Sequence, residues 1–275
     1  MSTGRPSLPT RVGHAEWGDN HFRGYSVLHD LAGREGITSL LALAIAGRRL
    51  EENERLMLDD VATVTIVADP RIWPLKLVRV MSSYGGCNAA VAAITISLED
   101  APIGHHAAGR AAEVLIQLRQ GLSAEGAELR AKDDGVFEDL CRRLVRDNDR
   151  PFGFEVPFRD RDERVDMVSD RVAARGRSDL PYWRLFVKAA DVFWRIKRLR
   201  PNIPVAMGAI CLDMGFAPAQ IGPLMTAMGA SPFWANAVEG AEQAPACLQM
   251  LPADCVRYVG PPARLSPRAA AARSR

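Results

Sequence analysis

"PNIPVAMGAICLDMGFAPAQIGPLMTAMGASPFWANAVEGAEQ", residues 201–243, carries almost no charge, and Pro or Gly stands wherever its apolar periodicity breaks. Such punctuation marks helix starts and stops. It predicts three successive helices over 205–214, 218–228 and 233–243. Working upstream, the same signals predict helices over 183–199, 161–174, 134–145 and 107–120. Residues 40–54 read as a helical hairpin turned by "GRRLEENER". The segment 75–98, "LKLVRVMSSYGGCNAAVAAITISL", reads as one or two buried helices, in which Ser82, Ser83, Gly85, Gly86, Ala89, Ala90, Ala92 and Ala93 let backbones approach closely. Only 61–67 is β-branched enough to suggest a strand, and it stands alone. The fold class expected is all-α.

At 275 residues, with 48% hydrophobic and 25% charged residues, the chain can bury a proper core. No internal repeat or low-complexity linker divides it. The change of texture between the polar stretch after Gly121 and the turn "RDNDRPFG" suggests a small subdomain over 109–200, inserted in a large helical domain of 1–108 and 201–275. Both ends, "MSTGRPSLPT" and "RLSPRAAAARSR", read as frayed tails.

A net charge of +2, with bases and acids interleaved, gives no footprint for nucleic acid. The longest apolar run, 40–46, is too short to span a bilayer, so no membrane role is expected. Five scattered cysteines with no CxxC pair suggest neither a disulfide framework nor a zinc ribbon, and a reducing cytoplasm is the expected setting.

Two places carry candidate chemistry. "EDAPIGHHAAGRAAEVL" puts His105 and His106 after a Pro-Gly turn and at the start of an Ala-rich helix. A helix N-terminus disfavours the protonated ring, so a neutral imidazole there can polarise a carbonyl; equally, one His can cap the helix and the other lie exposed. "FGFEVPFRDRDERVD", 152–166, gathers eight charged residues in fifteen behind a Gly between aromatic residues. Asp160, Asp162, Glu163 and Asp166 suit a helix start. Glu155, beside Phe152, Phe154 and Phe158, would be desolvated and could act as general base or acid, or instead form a salt bridge with Arg159 or Arg161. In "VADPRIWP", Asp69 reads as a helix N-cap with Pro70 at the first helical position, and Arg71 follows as a basic residue. "WRIKRLRPN" adds a basic cluster that complements a helix end.

Four segments, in one order, resemble the citrate synthase family. "FRGYSVLHDLAGREGITSLLALAIAGRRLEENE" is similar to its early "RGY-x-[IV]-x-DL" segment and following helix pair; "NAAVAAITISLEDAPIGHHAAGRAAEVL" to the segment around its first catalytic histidine; "GFEVPFRDRDER" to its "GFGHRVYKTRDPR" loop; and the stretch from Arg198 to Gln243 to its "LYPNVDFYSGAVLYALGIPPE" region. The resemblance runs from about Phe22 to Tyr258, and the chain is shorter than typical citrate synthases, its size closer to the short citryl-CoA lyase-type relatives.

The resemblance implies a two-domain helical homodimer with coenzyme A or an acyl-CoA as substrate, an oxo-acid as acceptor and no metal. It puts His106, or its neighbour His105, on the first catalytic histidine. The backbone of Phe154, Val156 and Pro157 would cradle the adenine, Arg159 would reach a CoA phosphate, and Arg164 would hold a substrate carboxylate, with Asp69 and Arg71 near the oxaloacetate-contacting segment. Other family residues are replaced. The second histidine falls on Phe154 or Glu155, the catalytic Asp on Pro204, the His of "ADHE" on Pro70, one substrate Arg on Ala230 and another near Ala253. Two readings stay open: an enzyme that makes or breaks a carbon-carbon bond beside the thioester carbonyl, with a hydrolase as a variant, or a non-catalytic acyl-CoA-binding or structural member.

Overall fold

The computed structural model describes residues 8–88, 106–129, 133–156, 160–243, 254 and 257–261. A small antiparallel sheet comes first: β1 (Gly13–Glu16), β2 (Asp19–Phe22) and β3 (Tyr25–Ser26), in that order, with His14 opposite His21 and Glu16 opposite Asp19. A single π-helical turn, Val27–Leu31, leads to the helices. These are α1 (Ile37–Ala46), α2 (Glu52–Val64), α3 (Trp73–Gly85), α4 (His106–Ala124), α5 (Asp134–Asn148), α6 (Glu163–Ala174), α7 (Pro181–Lys197), α8 (Ile203–Asp213), α9 (Pro218–Met228) and α10 (Ser231–Ala241). The all-α expectation holds.

The core forms around α4 and α8. Along α4, Ala108, Ala111, Ala112, Leu115, Leu118 and Leu122 are buried, the i, i+3, i+4, i+7 stripe of a helix with one apolar face. α8 is buried almost throughout, from Ile203 to Leu212 with only Pro204 half-exposed, as its lack of charge requires. The two helices approach closely because Gly208 meets the small face of α4: a Cβ there would stand 3.0 Å from the Ala108 carbonyl oxygen. α5, α7 and α9 also pack on α4, while α6 packs on α8 and α2. At the end of α6, Arg175 Nε donates to Asp60 of α2 at 2.9 Å, and its carbonyl accepts from Asn53 at 2.9 Å.

α3 and α10 pack chiefly on each other, around a separate small cluster of Val78 and Ala237 with Met81, Cys87 and Phe233. Trp73 and Trp234 stay 44% and 43% exposed on this pair.

Two expectations need correction, and one element was not foreseen. The lone strand over 61–67 is absent; Val61 to Val64 are the last turn of α2. The Glu54 carboxylate accepts the Glu51 N–H at 3.1 Å and starts that helix, and Val61 then follows Met57 and Leu58 on its buried face. Burying a Val is worth roughly 1.5–3 kcal/mol, against helix-propensity differences of at most about 0.7 kcal/mol per residue. The N-terminal sheet, in turn, was not foreseen: its strands have at most four residues, and the Trp17–Gly18 turn is marked by one Gly at φ +93°. Finally, Asp69 does not cap a helix. α3 begins at Trp73, with Pro74 in its first turn and Ile72 as N-cap, while Asp69, three residues before that N-cap, closes a turn by accepting the Arg71 N–H at 2.9 Å. Of the segment 75–98, α3 covers the first part, and 89–98 lies outside the described residues.

Candidate functional site

The loop 151–156 is held where α4, α6 and α8 come together. Its turn closes through the Phe154 N–H, which donates to the Pro151 carbonyl at 3.0 Å. Gly153 sits at φ +93°, a conformation open to Gly at little cost. A Cβ there would also lie 2.7 Å from Val205 Cβ on α8 and 3.1 Å from Ala111 Cβ on α4, so the loop backbone rests directly on both helices. Asn202, just before α8, fixes it twice: its N–H donates to the Gly153 carbonyl and its Nδ2 to the Glu155 carbonyl, each at 2.9 Å. Arg110 of α4 lies over the Phe152 ring, 4.3 Å from its centroid.

Asp162 ties two helix starts together. It is the N-cap of α6, accepting the Arg164 N–H at 3.2 Å, and its other oxygen accepts the Ile203 N–H of α8 at 2.9 Å. The Arg164 guanidinium completes the set with two bonds to the carboxylate, both 2.8 Å. Burial alone would raise the Asp162 pKa; the bonds from Arg164 and Ile203 and the Arg164 charge outweigh it and hold the carboxyl below its ordinary value. Two peptide N–H groups orphaned at helix starts are thereby satisfied by one anion.

The sequence-derived candidates distribute unevenly. His106 is the first residue of α4, where the helix start was expected. His105, Pro157 and Arg159 lie outside the described residues. Val156 is half-buried at the end of the loop. The Phe154 ring is fully buried, 4.5 Å from the Phe193 ring, so only the backbone of this residue is available to a ligand. Glu155 is not desolvated: its side chain is 43% exposed and its carboxylate is paired with Arg150, neither of the two partners expected, while Arg161 turns instead to Asp166 at 3.3 Å. Arg164 stands beside the loop as expected, but with its guanidinium engaged by Asp162. Asp69 and Arg71 pair with each other at the surface; the bonds from the Arg71 side chain and N–H draw the Asp69 carboxyl down to about 2. The cavity that Arg71 lines includes no residue of the loop.

Asp162, Asn202 and Arg150 are the residues that sequence reasoning missed as a set. Asp162 was legible as a helix-starting acid, but its reach to Ile203 spans forty-one positions and leaves no local trace. Beside the loop, Arg150 and Arg164 are paired with Glu155 and Asp162, and Asp162 fills the starts of α6 and α8. Among the described residues, no three His, Cys, Asp or Glu converge as a metal site requires.

Comparison of the whole structure with solved ones places the fold. The chain is similar to citryl-CoA lyase from Hydrogenobacter thermophilus, with a TM-score of 0.78 and 19% identity over 95% of this chain and 98% of that one. It is also similar to ATP citrate lyase from Methanothrix soehngenii in complex with citrate and coenzyme A, at TM-score 0.71 and 13% identity, covering 98% of this chain and 43% of that one. The third likeness is to citrate synthase from Thermoplasma acidophilum in ternary complex with carboxymethyl coenzyme A and oxaloacetate, at TM-score 0.57 and 16% identity over 84% and 59%. The fold is thus citrate synthase-like, with the extent of the short citryl-CoA lyase. No protein-family model and no curated protein sequence matches the chain.

Proposed function

We propose that this chain binds an acyl-CoA and makes or breaks a carbon-carbon bond next to the thioester carbonyl, in the manner of a citryl-CoA lyase. The observation that supports this reading is the 151–156 loop, whose backbone is braced by Asn202 against the start of α8 in a chain that shares its fold with citryl-CoA lyase over nearly its whole length. In this reading the backbone of Phe154, Val156 and Pro157 takes the adenine of CoA, and Arg159 reaches a phosphate. His106, with His105 beside it, donates to the thioester oxygen and stabilises the enolate. Glu155 takes or returns the α-proton after exchanging Arg150 for the substrate, since hydrogen bonds in a free site often reorganise when substrate binds. Arg164, already oriented by Asp162, holds the carboxylate of an oxo-acid with its remaining donors. The protein acts as a cytoplasmic homodimer.

A second reading, a non-catalytic acyl-CoA-binding protein, is favoured by one observation. Pro204, where the resemblance puts the catalytic Asp, lies in the first turn of α8, so no carboxylate stands there to remove a proton.

The two readings part on Glu155→Gln. Calorimetric titration with CoA, acetyl-CoA and longer acyl-CoAs, with and without small oxo-acids, should give saturable binding that is the same for both proteins. Turnover of the acyl-CoA that binds should then be lost in the variant. Binding without turnover in the unmodified protein would leave the second reading standing, and no binding of any acyl-CoA would overturn both.

A further inference from the structure

Of the guanidinium groups beside the 151–156 loop, Arg150 is paired with Glu155 and Arg164 with Asp162. Arg110 is different. It is exposed on α4 and, among the described residues, makes no ion pair or hydrogen bond through its side chain; Glu113, one turn on along the same helix, is not its partner. An aromatic ring fixes it instead, with the guanidinium carbon 4.3 Å from the centroid of Phe152. A guanidinium laid over a ring keeps its N–H donors in its own plane, where the ring does not use them. Arg110 is thus held in direction while its donors and its charge stay unspent.

Its position joins the two parts of the proposed acyl-CoA site. Ala111, the next residue, meets the loop, since a Cβ on Gly153 would stand 3.1 Å from the Ala111 Cβ. His106 stands four residues earlier, so positions 106 and 110 lie on one side of α4, one turn apart. In "HHAAGRAAEVL" nothing distinguishes Arg110 from an ordinary solvated helix cation, and the resemblance to the citrate synthase family assigns it no role. The contact with Phe152, more than forty positions away, is what singles it out.

We propose that Arg110 is a ligand-contacting residue of the acyl-CoA site, a guanidinium set on the Phe152 ring to receive an oxyanion of the ligand, either a phosphate of CoA or a carboxylate on the acyl chain. The inference rests on the acyl-CoA reading of the loop and adds to it the residue that meets the ligand's charge. Calorimetric titration of the full chain with CoA, acetyl-CoA and succinyl-CoA, each at two ionic strengths, tests it. Arg110→Gln should bind at least one of the three about tenfold or more weakly than the unmodified protein, the effect of losing a charge-assisted contact. Equal weakening for all three identifies a phosphate as the group received; weakening for succinyl-CoA alone identifies the acyl carboxylate. The salt dependence of that affinity should also become shallower, which a merely structural role of the contact with Phe152 would not produce. Arg110→Met, which keeps an apolar stem against the ring, should weaken binding as Arg110→Gln does. Affinity and salt dependence unchanged in either variant would overturn the proposal and leave the loop reading standing. No binding of any of the three to the unmodified protein would instead overturn the acyl-CoA reading, and the role of Arg110 with it.

Discussion

At the scale of single residues, Asp162 matters most, because one carboxylate caps α6, receives the first N–H of α8 and orients Arg164. Its carboxyl is lowered in the folded protein, so the unfolded chain holds that proton more tightly. The stability it contributes is complete above the ordinary carboxylate value of about 3.9 and is lost as pH falls through the lower folded value. Asp162→Asn would set an amide against the donors of Ile203 and Arg164 and should cost on the order of 2–3 kcal/mol near neutral pH. Urea unfolding of the two proteins at pH 7 and near pH 3 checks this: the gap should narrow in acid, and a gap of constant size would refute the role. Asp213 has the opposite sign. Burial raises its carboxyl despite two backbone bonds of 2.8 Å from Tyr182 and Trp183, so it weakens the fold as pH rises through that raised value. The helix-starting use of Asp162 could be read from "RDRDER" alone, because capping is local. The Glu155–Arg150 pair could not, because which of several nearby arginines a flexible carboxylate finds depends on how the loop turns at Gly153.

At the scale of elements, helices were legible wherever Pro or Gly coincided with a change of periodicity: α9 begins and ends at the residues expected, and α7 and α8 start two residues early, at Pro181 and Ile203. Which helices would touch was not legible, since close crossings depend on small residues far apart in sequence. α3 and α10 illustrate it. A Cβ on Gly240 would lie 2.7 Å from the Arg79 carbonyl oxygen and 2.8 Å from its Cα, backbone atoms that cannot turn aside. Gly240→Ala should therefore lower the melting temperature, the overpacking cost of about 1–3 kcal/mol exceeding the helix-propensity gain of at most about 1 kcal/mol. A rise in melting temperature would show that the pair can separate at no cost.

At the scale of the whole molecule, the order of four family-like segments conveyed the architecture at an identity of 19% or less to solved relatives, because a buried helical core tolerates exchange among apolar residues of similar volume. The assembly was inferred from the resemblance alone. One feature of the chain agrees with it: α3 and α10 form a layer with little core of its own, and Trp73 and Trp234 stand half-exposed on it. In the proposed homodimer this layer would be the face that the second copy covers. Light scattering after size exclusion should give twice the chain mass, and Trp234→Glu should shift it toward one chain; a monomer in both cases would remove the homodimer from the reading.

The division of labour within Phe154 has a consequence for how such a chain can change. Its ring belongs to the interior, against Phe193, while its peptide group belongs to the loop. Drift at this position is therefore filtered by volume: another large apolar side chain leaves the loop as it was, whereas a small one removes the packing beneath it. In the proposed acyl-CoA site, retuning of recognition would then fall to Val156, whose side chain is half-buried and takes no part in the Phe154–Phe193 contact.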